Sequence, residues 1–171
     1  MSRPRWLNDD EQGAWRAFYA ASRVLFDQLD RELQRDSDMP HTYYEILVVL
    51  SEVPERELRM RELAELTRSS PSRLSHAVSR LEGRGWVRRR ECLDDKRGQF
   101  AMLTGEGMAA LVEAAPGHVE GVRTHLFDRL TPQQVDQLRA ICEAVVDPLV
   151  PDHPLLRRQG AGTSGERKEG P

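Results

Sequence analysis

The spacing of apolar residues changes once along this chain, just after Gly85, and this change restricts the fold more than any other feature of the sequence. Before Gly85 the apolar positions recur every three or four residues, which is the period of an amphipathic helix. After it, residues 86–92 and 99–103 are short segments typical of β-strands, separated by a bend. The change predicts a mostly α fold that carries a small β-hairpin.

Two helices are predicted immediately before the hairpin. The first covers residues 61–67, and the second begins at the N-cap Ser70, has Pro71 in its first turn and continues to about Glu82. The inward apolar stripe of the second helix consists of Leu74, Ala77, Val78 and Leu81. Its outward face carries six hydrogen-bonding residues, none of them acidic: Ser72, Arg73, Ser75, His76, Ser79 and Arg80. Two helices, a turn and a hairpin in this order predict a winged helix-turn-helix.

The charges are unevenly distributed along the chain. The formal net charge is -3, yet residues 59–98 carry 11 basic and 6 acidic side chains, while the segments on either side are net acidic. A basic region of this kind is expected of a surface that binds an anionic partner. Double-stranded DNA is therefore the predicted partner.

The outward face of the second helix suits the major groove. A helix placed there must present small or planar hydrogen-bonding side chains to the base edges, and carboxylates would be repelled by the phosphates. Arg73 and Arg80 are predicted to read guanine, and Ser72 and His76 to contact bases or backbone. The amino end of the helix at Ser70 can receive a phosphate. The predicted DNA-binding set also includes Ser75, Ser79 and Arg89.

The bend between the two strands has the sequence CLDDKRG, residues 92–98. Lys96 and Arg97 at a hairpin tip are predicted to reach a phosphate or a narrow minor groove, and Gly98 permits the turn. Asp95 is predicted to accept hydrogen bonds from the Arg97 guanidinium and to orient it. The bend thus predicts a DNA-contacting wing.

Long helices are predicted on both sides of this core. Asn8 with Glu11 forms a capping-box pattern that starts a helix ending near residues 36–40. Thr42 with Glu45 repeats the pattern and predicts the start of a second, largely buried helix. Two further helices are predicted to begin after the N-caps Thr104 and Thr131.

The run RELAELTRSSPSRLSHAVSRLEGRGWVRRRECLDDKRGQFAMLTGEG, residues 61–107, resembles the core of the multiple antibiotic resistance regulator (MarR) family. The family's pattern includes an ELA helix, a recognition helix ending in RLExRGWVxR, a wing with DxRG and a strand leading to LTxxG. The resemblance implies a homodimer, joined through its first helix and last two helices, that binds a pseudo-palindromic operator and usually represses nearby genes.

The resemblance also implies a domain organisation. Residues 1–40 are expected to form an N-terminal dimerisation helix, residues 41–104 the winged helix-turn-helix lobe, and residues 105–150 the C-terminal dimerisation helices. Residues 151–171 are rich in Pro, Gly and charged residues, which predicts a disordered tail. Many family members release DNA when a small aromatic ligand binds between the dimerisation helices and the DNA-binding lobe, and here Trp15, Phe18, His41 and Tyr44 are the predicted pocket residues.

Two alternatives keep the fold but change the function. A metal-responsive regulator would use some of His41, His118, His125 and Glu120, although two histidines seven residues apart on a helix lie about 10.5 Å apart. A protein-protein adaptor built on a winged helix would be free to make the outward face of the second helix acidic or apolar.

Other functional classes lack their motifs. The sequence has no Gly-rich phosphate loop, HExxH or GxSxG motif, so no enzyme and no cofactor are predicted. Cys92 and Cys142 have no CxxC partner and are interpreted as ordinary thiols. The first residues contain no apolar signal segment, so a cytoplasmic location is expected.

Overall fold

The computed structural model describes residues 4–91 and 98–150, and the chain divides into two compact units, residues 1–129 and 130–171. The elements of the first unit are α1 Asp9–Ser37, α2 His41–Glu52, β1 Glu57–Arg59, α3 Met60–Leu66, α4 Pro71–Gly83, β2 Val87–Glu91, β3 Gln99–Leu103 and α5 Gly105–His125. The second unit contains α6, Pro132–Val146. The predicted fold class, mostly α with a small sheet, is confirmed.

Four of the predicted helix starts are confirmed by their capping contacts, among them Ser70 at α4. At α1 the Asn8 side chain accepts from the Glu11 backbone N–H at 2.8 Å, and the Glu11 carboxylate accepts from the Asn8 N–H at 2.9 Å. Thr104 and Thr131 cap α5 and α6 with their hydroxyls. A side chain that satisfies an otherwise unpaired N–H fixes the first turn locally, which is why sequence alone located these starts.

The start of α2 was predicted wrongly. The helix begins at His41, with Pro40 at the N-cap, and no capping box forms between Thr42 and Glu45. The His41 N–H instead donates to Asp30 Oδ1 on α1 at 2.7 Å. The cap therefore comes from a residue eleven positions earlier, which local sequence reasoning does not detect.

The hairpin belongs to a three-stranded antiparallel sheet in the order β1-β3-β2. Strand β1 was not predicted, because three residues are too few to show an alternating pattern. Its central residue, Leu58, lies opposite Ala101 of β3, and Arg89 of β2 lies opposite the same residue on the other side. The sheet thus closes one side of the lobe.

The centre of the lobe is the predicted apolar run of α2. Ile46, Leu47 and Leu50 are fully buried, as are Leu63 of α3 and Leu81 of α4. These contacts bury about one side of each short helix, and burial of apolar surface is the main source of stability for such a lobe. The core thereby fixes α4 with its polar face outward.

Residues at the start of α5 join that helix tightly to the lobe. The Thr104 hydroxyl donates to the Gly85 carbonyl oxygen at 2.6 Å, and the Thr104 N–H donates to the Trp86 carbonyl oxygen at 3.0 Å. A Cβ at Gly107 would lie 2.0 Å from that Trp86 oxygen, so only glycine permits this approach. Within residues 4–91 and 98–150, no helix is long and apolar enough to cross a membrane.

Candidate nucleic-acid interface

Helix α4 separates its residues into an inner and an outer face as predicted. The apolar stripe of Leu74, Ala77, Val78 and Leu81 is buried. All six outward residues are exposed: Ser72, Arg73, Ser75, His76, Ser79 and Arg80. The only acidic residue of the helix, Glu82, is half-buried and turned toward Arg89 of β2. The exposed surface of α4 is therefore polar or basic along its length.

The amino end of α4 is held open toward solvent. The Ser70 hydroxyl accepts from the Arg73 N–H at 3.4 Å and lies 3.3 Å from the Ser72 hydroxyl. The preceding turn contains Arg68, which is exposed and has a positive φ of 50°. Sequence reasoning missed Arg68, and its place between two predicted helices in the basic segment was the available signal.

The three consecutive arginines of β2 have different environments. Arg88 is exposed. Arg89 faces α4, where its guanidinium donates to the Ser75 carbonyl oxygen at 2.7 Å and to the Ser79 hydroxyl at 3.0 Å. Arg90 donates to Glu57 at 2.5 Å and lies over the Phe100 ring at 4.6 Å. Alternation along the strand places neighbouring side chains on opposite faces, so the basic run does not form one patch.

The tip of the predicted wing lies outside the described residues. Asp95, Lys96 and Arg97 therefore keep the roles that the sequence predicts for them, without a geometry. Gly98 is described and stands directly before β3. Cys92 and the predicted disordered tail, residues 151–171, also fall outside the described ranges.

Arg84 anchors the carboxyl end of α4 to the connection between α1 and α2. Its guanidinium donates to the Asp38 carbonyl oxygen at 2.7 Å and to the Asp38 carboxylate at 2.9 Å. The same group lies over the Trp86 ring at 4.8 Å. This set of contacts fixes the direction in which α4 projects.

Within one chain, the four predicted ligand-pocket residues fall into two groups. Trp15 packs against Phe18, with ring centroids 6.4 Å apart, on an exposed part of α1. His41 and Tyr44 lie elsewhere and contact His118 of α5, at centroid distances of 5.6 and 4.4 Å. His41 also contacts Phe26, which is eleven residues or about 16 Å along α1 from Trp15. Helical spacing alone could not show this separation.

The two adjacent imidazoles are held in a poorly solvated site. Burial lowers the pKa of His41 and of His118 below the ordinary value of 6.5. Repulsion from the charge of His41 lowers the pKa of His118 further. Asp30 acts on the pKa of His41 in the opposite, raising direction. Burial also raises the pKa of Tyr44. The site thus favours neutral rings.

The histidines proposed for a metal site are divided between two places. His118 contacts His41, whereas His125 lies 2.8 Å from Glu32 on α1. Glu120 contacts the Thr124 hydroxyl. Among residues 4–91 and 98–150, no three His, Cys, Asp or Glu side chains are grouped closely enough to hold a metal ion.

Comparison with known proteins points to one family. Residues 37–98, which include α2, α3, α4 and β2, match the MarR family model. The transcriptional regulator HosA of Escherichia coli O127:H6 is 33% identical over 95 residues, which cover 55% of this chain and 69% of HosA.

Two solved structures from Streptomyces coelicolor extend the match to nearly the whole chain. Sco3205, a MarR family transcriptional regulator crystallised in complex with DNA, is 53% identical with a TM-score of 0.81, covering 93% of this chain and 97% of that one. AbsC, a MarR family transcriptional regulator, is 41% identical with a TM-score of 0.78, covering 85% and 98%.

Proposed function

The chain belongs to the MarR family of transcriptional regulators, and we propose that it acts in the cytoplasm as a homodimeric repressor that binds a pseudo-palindromic DNA operator. The family consists of regulators rather than enzymes. Repression follows from occupancy, because a dimer on its operator excludes other proteins from the same stretch of DNA.

The outward face of α4 carries this proposal. Six exposed residues on one helix can donate hydrogen bonds, and the one carboxylate of the helix is turned away toward β2. Arg73 and Arg80 are proposed to read guanine in the major groove, where a guanidinium can donate to both O6 and N7. Support also comes from Sco3205, which is 53% identical and was crystallised in complex with DNA. Because α4 is proposed to enter the groove, it is called the recognition helix below.

The wing completes the proposed interface. Lys96 and Arg97 are proposed to contact a phosphate or the minor groove beside the site of α4, with Asp95 orienting Arg97. The described part of the wing supports this placement, because β2 lies directly against α4 through Arg89. A hairpin tied to the recognition helix must follow it onto the DNA.

Exposed apolar side chains support the dimer. On and before α1 they include Trp6, Trp15, Phe18 and Val24, and on α6 Ile141 and Val145. Trp6 is 86% exposed, and leaving so large an apolar ring in water is unfavourable. One recognition helix covers only a half-site, so a second copy joined through these faces would supply the other half.

A small aromatic effector is proposed to act at the cluster of His41, Tyr44 and His118. The His118 Nδ1 is buried with no hydrogen-bond partner among the described residues, so a phenol or carboxylate could satisfy it. A ligand that separated α2 from α5 would tilt the lobe. We expect phenolic acids to release operator DNA from the wild type, and His118→Ala to abolish that release while DNA binding itself persists.

The proposed function is tested by selecting bound fragments from a random or genomic DNA pool, followed by fluorescence anisotropy on the enriched site across a salt series. We expect an inverted repeat whose half-site centres lie about ten base pairs apart. Affinity should fall steeply as salt rises, because each neutralised phosphate releases counterions. Failure to enrich any sequence, with and without added divalent metal, would favour the protein-protein adaptor instead.

A further inference from the structure

Arg89 connects the wing to the outward face of the recognition helix. Its side chain is only 23% exposed. One guanidinium nitrogen, Nη2, donates to the Ser75 carbonyl oxygen at 2.7 Å and to the Ser79 hydroxyl oxygen at 3.0 Å, with the Ser75 hydroxyl more distant at 3.4 Å. The sequence predicted a direct DNA contact for this arginine, whereas these contacts lie within the chain.

Glu82 lies beside that guanidinium and bonds the backbone of the same residue. Its Oε1 accepts from the Arg89 backbone N–H at 3.0 Å, and its Oε2 lies 3.4 Å from the Arg89 Nε. The carboxylate therefore bonds the Arg89 backbone and forms an ion pair with its side chain, whose Nε has no hydrogen-bond partner among the described residues. Because Glu82 lies in the last turn of α4, one hydrogen bond and one ion pair join the helix to the strand at this arginine.

The contact changes what the Ser79 hydroxyl can do. Arginine has no acceptor, so the Ser79 oxygen must accept and its proton must point elsewhere. Helical hydroxyls usually donate back to a preceding carbonyl, as Ser22 does to Phe18 at 2.7 Å and Thr67 to Leu63 at 2.8 Å. For Ser79 that carbonyl is Ser75, which already accepts from Arg89. That carbonyl is thus already engaged by the wing, which leaves the Ser79 proton fewer partners within the helix.

We propose that Arg89 is a positioning residue for DNA recognition, which holds the exposed Ser79 hydroxyl as a hydrogen-bond donor toward an acceptor on the operator. The acceptor is a base nitrogen or oxygen in the major groove or a phosphate oxygen. Because Arg89 occupies one lone pair of the Ser79 oxygen and leaves its proton free to donate, an acceptor is favoured over an amino group of cytosine or adenine as the partner. The inference rests on the proposed function, since it requires α4 to lie against DNA.

A double-mutant cycle on the selected operator tests the coupling between the two residues. Arg89→Lys keeps the charge, but its ammonium ends one bond short of the Nη2 position that donates to Ser75 and Ser79. We expect Ser79→Ala and Arg89→Lys each to raise the Kd by about five- to tenfold, and the double variant to be no weaker than either single one. Arg88→Lys, the same change on the opposite face of β2, is the matched control and should bind like the wild type.

Several outcomes would overturn the inference. Losses that multiply in the double variant would mean that Arg89 contacts DNA directly, as would a salt dependence that weakens with Arg89→Lys. If Arg89→Lys does not fold, as judged by circular dichroism, Glu82→Gln takes its place in the cycle with the same expectation. A wild-type protein that binds no DNA would instead refute the proposed function, which keeps the two failures distinguishable.

Modified operators identify the acceptor. If Ser79 donates to a base, 7-deazapurine or 4-thiothymine at one position should abolish the difference between wild type and Ser79→Ala. If it donates to a phosphate, a single methylphosphonate should do so instead. Ser79→Thr, which keeps the hydroxyl, should retain most of the affinity. A Ser79→Ala loss that no analogue removes would show that the hydroxyl does not donate to DNA.

Discussion

Helices α4 and α6 have the same type of N-terminus, but their apolar faces differ in burial. Each starts with a hydroxyl N-cap followed by proline, Ser70-Pro71 in α4 and Thr131-Pro132 in α6. Each also has one apolar face. In α4 the four residues of that face are buried, whereas in α6 none is buried and Ile141 is 60% exposed.

The difference separates two properties that sequence patterns combine. Capping residues and helical spacing determine that a segment is a helix and which face is apolar. What covers that face depends on the rest of the molecule. The apolar side of α4 is covered by its own lobe, and that of α6 is proposed to be covered by a second chain. The polar face of α4, on the side away from its lobe, is the one proposed to contact DNA.

The largest effect is expected from truncating the buried face of α4. Leu81 is fully buried, so Leu81→Ala should lower the free energy of unfolding by about 2 to 5 kcal/mol. Chemical denaturation at several protein concentrations measures this. The loss should be the same at every concentration, because the contacts lie within one chain. A loss that grew on dilution would mean that this face also depends on a partner.

A charge on the exposed face of α6 should act on assembly instead. Ile141→Asp would place a carboxylate in the proposed interface, and we expect the dimer dissociation constant to rise by at least about tenfold. Analytical ultracentrifugation across a dilution series measures it. Ala140→Asp, on the opposite side of the same helix, is the control and should leave the assembly unchanged. Equal effects of both variants would contradict the assignment of this face to a second chain.

Removing a guanidinium from the outward face of α4 should alter DNA recognition without altering the fold. Arg73 is exposed, and Arg73→Ala should relax discrimination at one operator base pair by about 1 to 3 kcal/mol. Anisotropy against a set of single-base operator variants measures this. Arg123→Ala, at the far end of α5, should change neither affinity nor preference. A uniform loss over all sequences would make Arg73 a phosphate contact.

The smallest effect is expected from pH, because the two imidazoles concerned are only half-buried. His41 and His118 have pKa values lowered below 6.5 by burial, so below pH 6.5 the unfolded chain binds more protons than the folded one. Their contribution to stability should be complete above pH 6.5 and decline as the pH falls further.

The matching measurement is a series of urea denaturations between about pH 7.5 and pH 5, the range in which histidine titrates. His118→Asn should flatten the decline, whereas Val119→Ala, an exposed neighbour without a titratable group, should keep it. The Glu32 carboxylate bonds to Gln28 and His125, which lowers its pKa below 4.5. Its contribution to stability should therefore be lost only below pH 4.5. A decline that began only there would contradict the role of the imidazole pair.

The sequence by itself determined the helices, the hairpin and the polar face of α4. These follow from neighbours in the chain: a cap such as Ser70 acts within one turn, and an apolar stripe such as Leu74 to Leu81 has the period of the helix. The order of the elements predicted the winged helix-turn-helix, and the motifs of residues 61–107 carried the resemblance that predicted the family. None of this required knowing which distant residues meet.

Only the tertiary structure decided where distant partners act. Asp30 starts α2 in place of the predicted capping box, and β1 exists because β3 offers it an edge. Arg89 was predicted from the sequence to contact DNA, and the fold brings its guanidinium against Ser79 of α4. Such contacts join residues that local spacing does not relate, and their geometry depends on the packing of whole elements. The sequence therefore specified the surface that is proposed to meet DNA, and the fold decided which of its side chains face outward and which hold others in place.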